Sequence, residues 1–300
     1  MRRMGFPRWV RRHILPALVI AGVLSAGFLF LGDFLYQVLP ATFTGDTIYQ
    51  LYHILWPAAL ITLFGYGWTY RSGNFQETVW AGAPFFLLEG LLLAATVYEA
   101  AADSAMQWRS PELLIAGALM LFGVGFREES LFRGLVVNLL GERLIRNRRG
   151  VWGTVLTGGI LFGLVHLGNY FAGISLKSVL IQTAAACAVG WALCAVYLRG
   201  GNLWCMILIH TLTDSASMFY ATFQEEGDIL DAINELSLVN LTPILPFTAI
   251  TVFLLREPYG SRIVQRFQSR AATSGQDGSG EDGGENQDPG QNGYAGQDSF

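Results

Sequence analysis

Apolar stretches follow one another along this chain near 13–38, 47–70, 78–100, 111–140, 151–169, 177–198, 202–223 and 236–256, separated by short polar gaps. Each is long enough to cross a hydrocarbon core about 30 Å thick as a helix rising about 1.5 Å per residue. Helices satisfy their own backbone groups, which lipid cannot do. The pattern therefore predicts an all-α protein, a polytopic transmembrane helix bundle of about eight spanning helices over 13–256. Residues 1–12 read as a basic N-terminus. The basic start followed by an apolar run imitates a secretory signal. The run is too long for one, and no small-residue cleavage site precedes Asp33, so it reads as an uncleaved first helix. From 257 to 300 the chain turns Gly-, Asp- and Gln-rich, which predicts a disordered acidic tail.

Composition agrees with a membrane class: 52% of residues are hydrophobic, 14% are charged and the mean hydropathy is +0.39. A soluble domain has about 25% charged residues. The net charge of -4 is a local effect, because residues 271–300 hold six acidic residues and no Lys or Arg, leaving 19 basic against 17 acidic residues elsewhere. No basic face points to nucleic acid. Cys187, Cys194 and Cys205 lie in apolar segments without disulfide or metal-ligand spacing and read as small hydrophobes.

Arginine placement predicts topology. Five arginines precede the first apolar segment and four lie in "GERLIRNRRG" at 141–150. Arg71 and Arg199 mark two further connections, and Arg256, Arg262, Arg266 and Arg270 follow the last segment. With eight crossings all these regions share one side, and both termini are cytoplasmic. The gap "FQEEGDILDAINE" at 223–235, on the other side, is acidic.

Ionisable residues inside spanning segments are functional candidates by default. The main set is Glu128, Glu129 and Arg133 in the fourth segment, His166 in the fifth, and His210 and Asp214 in the seventh. Glu129 and Arg133, at i and i+4, can pair on one face. Glu128 is rotated about 100° from Glu129 on a helix. That leaves Glu128 without a local partner, as the candidate general base. Counting the rise from the arginine-rich edge places Glu128, His166, His210 and Asp214 at depths of roughly 12–22 Å, in one mid-membrane zone. His210 and Asp214 are also i,i+4 neighbours, so the carboxylate can orient or charge the imidazole. Phe162 shares a face with His166 and can flank it. Gly159 and Gly163 stand at the small-xxx-small spacing of close helix packing. Of the other intramembrane ionisable groups, Glu89 is placed to line the cavity, Asp33 to reach the interface, and His53 to sit as a satisfied bundle histidine.

These residues resemble a known family. "EESLFR" at 128–133, "FGLVH" at 162–166 and "HTLTD" at 210–214 are similar to the EExxxR, FxxxH and HxxxN/D motifs of the CPBP family. That family includes type II CAAX prenyl endopeptidases and Abi or bacteriocin-processing relatives. The likeness covers about 111–225. It implies an intramembrane glutamate endopeptidase acting on membrane-embedded or lipid-modified peptides within the bilayer, with no cofactor. In it Glu128, with His166, activates a water. His210 and Asp214 stabilise the oxyanion, and Glu129 and Arg133 hold the site together. The family often has Asn where this chain has Asp214, and an ionised Asp cannot donate a hydrogen bond.

Other readings are a non-catalytic membrane protein, such as an immunity factor or transporter, and a zinc site formed by Glu128, His166 and His210. The chain has no HExxH, and no GxSG-type element surrounds Ser130.

Overall fold

A computed structural model describes residues 6–40 and 42–276. The described residues are almost entirely helical, and their one strand-like feature is an isolated antiparallel bridge between Trp108 and Gln224. The helices are α1 (Phe6–Arg12), α2 (Ile14–Val38), α3 (Phe43–Leu63), α4 (Phe75–Ala102), α5 (Pro111–Glu129), α6 (Val137–Leu144), α7 (Arg148–Leu164), α8 (Leu176–Gly200), α9 (Leu203–Ser217), α10 (Phe219–Phe223), α11 (Ile229–Asn234), α12 (Ile244–Leu255) and α13 (Tyr259–Gln276). A π-helical turn, Ser130–Val136, joins α5 to α6, and a 3-10 segment, Val165–Ala172, continues α7. Among the described residues, five helical stretches are long and apolar enough to cross a membrane: Ile14–Val38, Phe75–Ala102, Arg148–Ala172, Leu176–Gly200 and Leu238–Leu255.

Local chemistry sets the helix starts. Asn74, Asn147, Ser175 and Asn202 each accept a backbone N–H from three residues on, which caps α4, α7, α8 and α9. Gly201, left-handed at φ 75°, ends α8. Glycines also set how closely helices approach. A Cβ on Gly159 would stand 2.7 Å from the backbone nitrogen of Trp191, and one on Gly163 would stand 2.8 Å from the Thr183 carbonyl oxygen. The expected small-residue packing therefore joins α7 to α8. A Cβ on Gly125 would come within 3.2 Å of the Ile207 carbonyl oxygen, so α5 lies against α9. That contact brings the fourth and seventh apolar segments together.

The arginine-bearing connections meet at one end of the bundle. Phe6 packs edge-on against Phe64, Tyr66 donates to Glu142 at 3.0 Å, and Gln268 reaches the Arg146 carbonyl at 3.3 Å. Arg148 pairs with Glu257 at 2.9 Å, and Asn74 N–H donates to the Gly200 carbonyl. At the other end Arg109 donates to the carbonyls of Gln224 and Gly227, and Ser178 donates to that of Asn234.

Residues 6–12 form a short helix that buries Val10 in the core and sets Phe6 edge-on against Phe64. The disordered tail does not begin at 257: α13 is an amphipathic helix that buries Ile263 and Phe267 against the bundle. Its apolar residues, four apart on one face, were masked by the polar composition of the residues beyond. Residues 277–300 lie outside the described residues.

Candidate active site

The site forms where α5 gives way to the π-helical turn, opposite α9. π-Helical turns are rare and often occur at functional sites. Asn138 reinforces this one by donating to the carbonyls of Arg133, at 2.8 Å, and Gly134, at 3.1 Å. Phe132, Arg133, Gly134 and Leu135 are all buried.

At its base is a sealed polar triad. The Glu129 and Arg133 side chains are both 0% exposed, with Arg133 Nη1 2.9 Å from Glu129 Oε1. The same oxygen lies 2.6 Å from His210 Nδ1. A carboxylate facing a guanidinium is an acceptor, which assigns the Nδ1 proton to His210 and turns its Nε2 towards the open side. There Nε2 lies 3.6 Å from Glu128 Oε2 and 3.5 Å from Asp214 Oδ2. The rim is more open: the Glu128 and Asp214 side chains are 18% and 24% exposed.

Phe162 joins the third helix to this group. Its ring centroid is 5.8 Å from that of His210, 5.4 Å from His166 and 5.1 Å from Phe132. The Arg133 guanidinium lies over the same ring, 4.6 Å from its centroid. A cation against an aromatic face is a favourable contact in a desolvated site. His166 is the second residue of the 3-10 segment, and its Nδ1 lies 3.1 Å from the Phe162 carbonyl oxygen. The ion-pair partners of Glu128 are Arg127 and His210, and His166 is not within ion-pair distance of it.

The structure thus brings Glu128, Glu129, Arg133, Phe162, His210 and Asp214 together, with His166 linked through Phe162. One expectation changes. Glu128 is not without a partner, since Arg127 Nη2 lies 3.6 Å from its Oε1 and His210 approaches from α9. Arg127 also reaches His53 on α3, with Nη1 3.1 Å from Nδ1. Sequence reasoning missed this arm. The signal was there: Arg127 is itself an arginine within an apolar segment and needs a partner.

Glu89 is buried on α4, two helical turns beyond Gly82, whose Cβ would touch Ile209. Asp33 is exposed. Ser130 is buried, with its Oγ 2.7 Å from the Tyr70 hydroxyl. All three cysteines are free, and Cys194 and Cys205 are buried. Among the described residues, no group of three or more His, Cys, Asp or Glu is arranged to hold a metal ion.

Residues 110–216 match the family described as Rce1-like, type II CAAX prenyl endopeptidase Rce1-like. The match runs from the start of α5 to the end of α9 and contains Glu128, Glu129, Arg133, Phe162, His166, His210 and Asp214. It is the family that the three motifs resemble, and it is a protease family. No curated protein matches the chain. No solved structure matches it. The matched domain and the five apolar helices make this an integral membrane protein.

Proposed function

Taking residues 110–216 as an Rce1-like domain, we propose that the protein is an intramembrane endopeptidase that hydrolyses peptide bonds of membrane-embedded or lipid-modified substrates, including prenylated CAAX-type ones. The observation that carries the reading is the division between two adjacent carboxylates. Glu129 is sealed and held by Arg133 and His210, whereas Glu128 stands at the accessible rim. A base must meet a water and a substrate, and a buried ion pair cannot.

In this reading Glu128, with His166 across the site, takes a proton from a water that attacks the scissile carbonyl. His210 faces the same space from α9 and donates to the oxygen on which charge develops, while the Asp214 carboxylate, 3.5 Å from its Nε2, favours the charged imidazole. Glu129 orients the imidazole through Nδ1, as an orienting carboxylate does in other hydrolytic sites. Arg133 holds Glu129, and Phe162 walls off the imidazoles. Glu128 then returns its proton to the leaving amine.

The proposed topology has eight crossings with both termini cytoplasmic. The gathering of the arginine-bearing connections at one end of the bundle supports it. The substrate is a peptide within the bilayer, reaching the cavity laterally or from the cytoplasmic end.

The test is proteolysis of a membrane-embedded peptide by the purified protein. Glu128→Gln should lower turnover by about 10²–10⁴ while helicity and peptide binding persist. Wild-type-like turnover in that variant refutes the assignment of the base. No turnover by the parent, with peptide still bound, favours the non-catalytic reading.

A further inference from the structure

The arginine-rich end of the bundle contains a polar cavity whose lining includes none of the carboxylates of the site. It has a volume of about 220 Å³ and is lined by Glu77, Arg199, Tyr259, Arg262, Ile263 and Arg266. At about 30 Å³ per liquid water, that is room for several waters or one small anionic group. Three guanidiniums face one carboxylate, so the lining is positive.

The arginines have different roles. Arg266 donates through Nη1 to the Arg199 carbonyl at 2.7 Å and through Nη2 to the Leu198 carbonyl, so it caps the last turn of α8. Arg199 and Arg262 are not used in this way. The Arg199 guanidinium lies 3.5 Å from the centroid of the Tyr259 ring, and that of Arg262 lies 5.8 Å from the same centroid. Arg199 Nε is buried with no hydrogen-bond partner. No carboxylate among the described residues pairs with either guanidinium. Two arginines are therefore held on one aromatic ring without an ion-paired carboxylate, and Glu77 is the one carboxylate in the lining. Planar guanidinium forks match phosphate oxygens in a way that a lysine ammonium does not.

Position identifies the ligand class. Arg199 is the penultimate residue of the apolar span Leu176–Gly200, and Glu77 lies in the first turn of the span Phe75–Ala102. The cavity therefore sits where hydrocarbon gives way to lipid headgroups. Basic pockets at such edges suit anionic headgroups. We infer that this cavity is a phosphate-binding site, filled by the headgroup of an anionic phospholipid that docks α13 onto α4 and α8. The inference rests on the integral-membrane placement and not on the protease reading, so either can fail without the other.

The experiment uses the full chain in nanodiscs of mixed phosphatidylcholine and phosphatidylglycerol, with retained lipid read by native mass spectrometry. A second arm follows thermal unfolding in neutral detergent with added inorganic phosphate. The parent should retain phosphatidylglycerol over phosphatidylcholine. Arg262→Gln, at an exposed position on α13, should lose about fivefold of that preference, as expected for one interfacial arginine. Arg199→Gln should lose at least as much, with helicity as the folding control. If phosphate alone raises the parent's Tm but not that of Arg262→Gln, and no lipid preference exists, the site still binds phosphate but its source is the free ion. If neither arm separates the parent from both variants, the inference is overturned.

Discussion

Glu129 Oε1 lies 2.6 Å from His210 Nδ1, across 81 residues of chain, and both side chains are nearly or fully buried. The same oxygen meets Arg133 Nη1 at 2.9 Å. One carboxylate oxygen therefore links the EExxxR segment to α9, and this contact is structural before it is chemical. Glu129→Gln leaves Arg133 buried without its counter-charge. Breaking a buried pair in this way costs on the order of 3–5 kcal/mol. Glu128→Gln, at the accessible rim, should cost far less. Denaturant unfolding of the two variants in the same detergent checks the contrast. Equal losses would mean that the two carboxylates are not divided as described.

Arg127 bridges Glu128 and His53, at 3.6 Å and 3.1 Å. It touches neither the imidazole of His210 nor Asp214 within ion-pair distance, so it is a positioning residue for Glu128. Arg127→Gln is expected to lower kcat by about tenfold with little change in KM, at the low end of what a misplaced base costs. His53→Phe should reproduce part of that loss, and the double variant should fall short of the product of the singles, because both act through one network. A change confined to KM would assign Arg127 to substrate binding instead.

The sequence carried much of this, for physical reasons that differ by element. Glu129 and Arg133 are one helical turn apart, so their pairing follows from periodicity alone. The π-helical turn begins just after Glu129 and leaves that register intact. His210 on Glu129 was not legible. The contact depends on how closely α5 and α9 pack, which Gly125 permits and no spacing rule encodes. Arg127 and His53 were visible as residues, but their partnership crosses from α5 to α3. Helix α13 was hidden because the polar composition beyond it outweighed two buried residues, Ile263 and Phe267, in the average. Local pairs can be read from a single helix, whereas contacts between helices require the packing.

Metal dependence separates the glutamate reading from a zinc reading that uses Glu128, His166 and His210. A glutamate base must be free to take a proton, and a glutamate ligand is not. The sequence lacks HExxH, and His210 Nδ1 is committed to Glu129, leaving Nε2 as the nitrogen that faces Glu128. Turnover should therefore survive exhaustive chelation, and elemental analysis of active protein should find no stoichiometric zinc. Loss on chelation with recovery on added zinc would move Glu128, His166 and His210 into ligand roles.

Topology can be tested without substrate. The connections near Arg71, Arg146, Arg199 and Arg256 are tied together by short contacts: Tyr66 to Glu142, Arg148 to Glu257, and Arg266 to the Arg199 carbonyl. They must lie on one side of the bilayer, whichever side that is. The proposed topology, by the positive-inside rule, makes it the cytoplasmic side. Single cysteines at Arg71, Arg146 and Arg262, in a background without Cys187, Cys194 and Cys205, should be shielded from an impermeant thiol reagent in intact cells and labelled after permeabilisation. Cysteines at Gln107 and Glu226, near the contacts of Arg109 with the Gln224 and Gly227 carbonyls, should label in intact cells. Labelling of position 262 from outside, with position 71 shielded, would overturn the eight-crossing topology. It would also contradict the packing of α13 on α8, because the two faces cannot touch across a membrane.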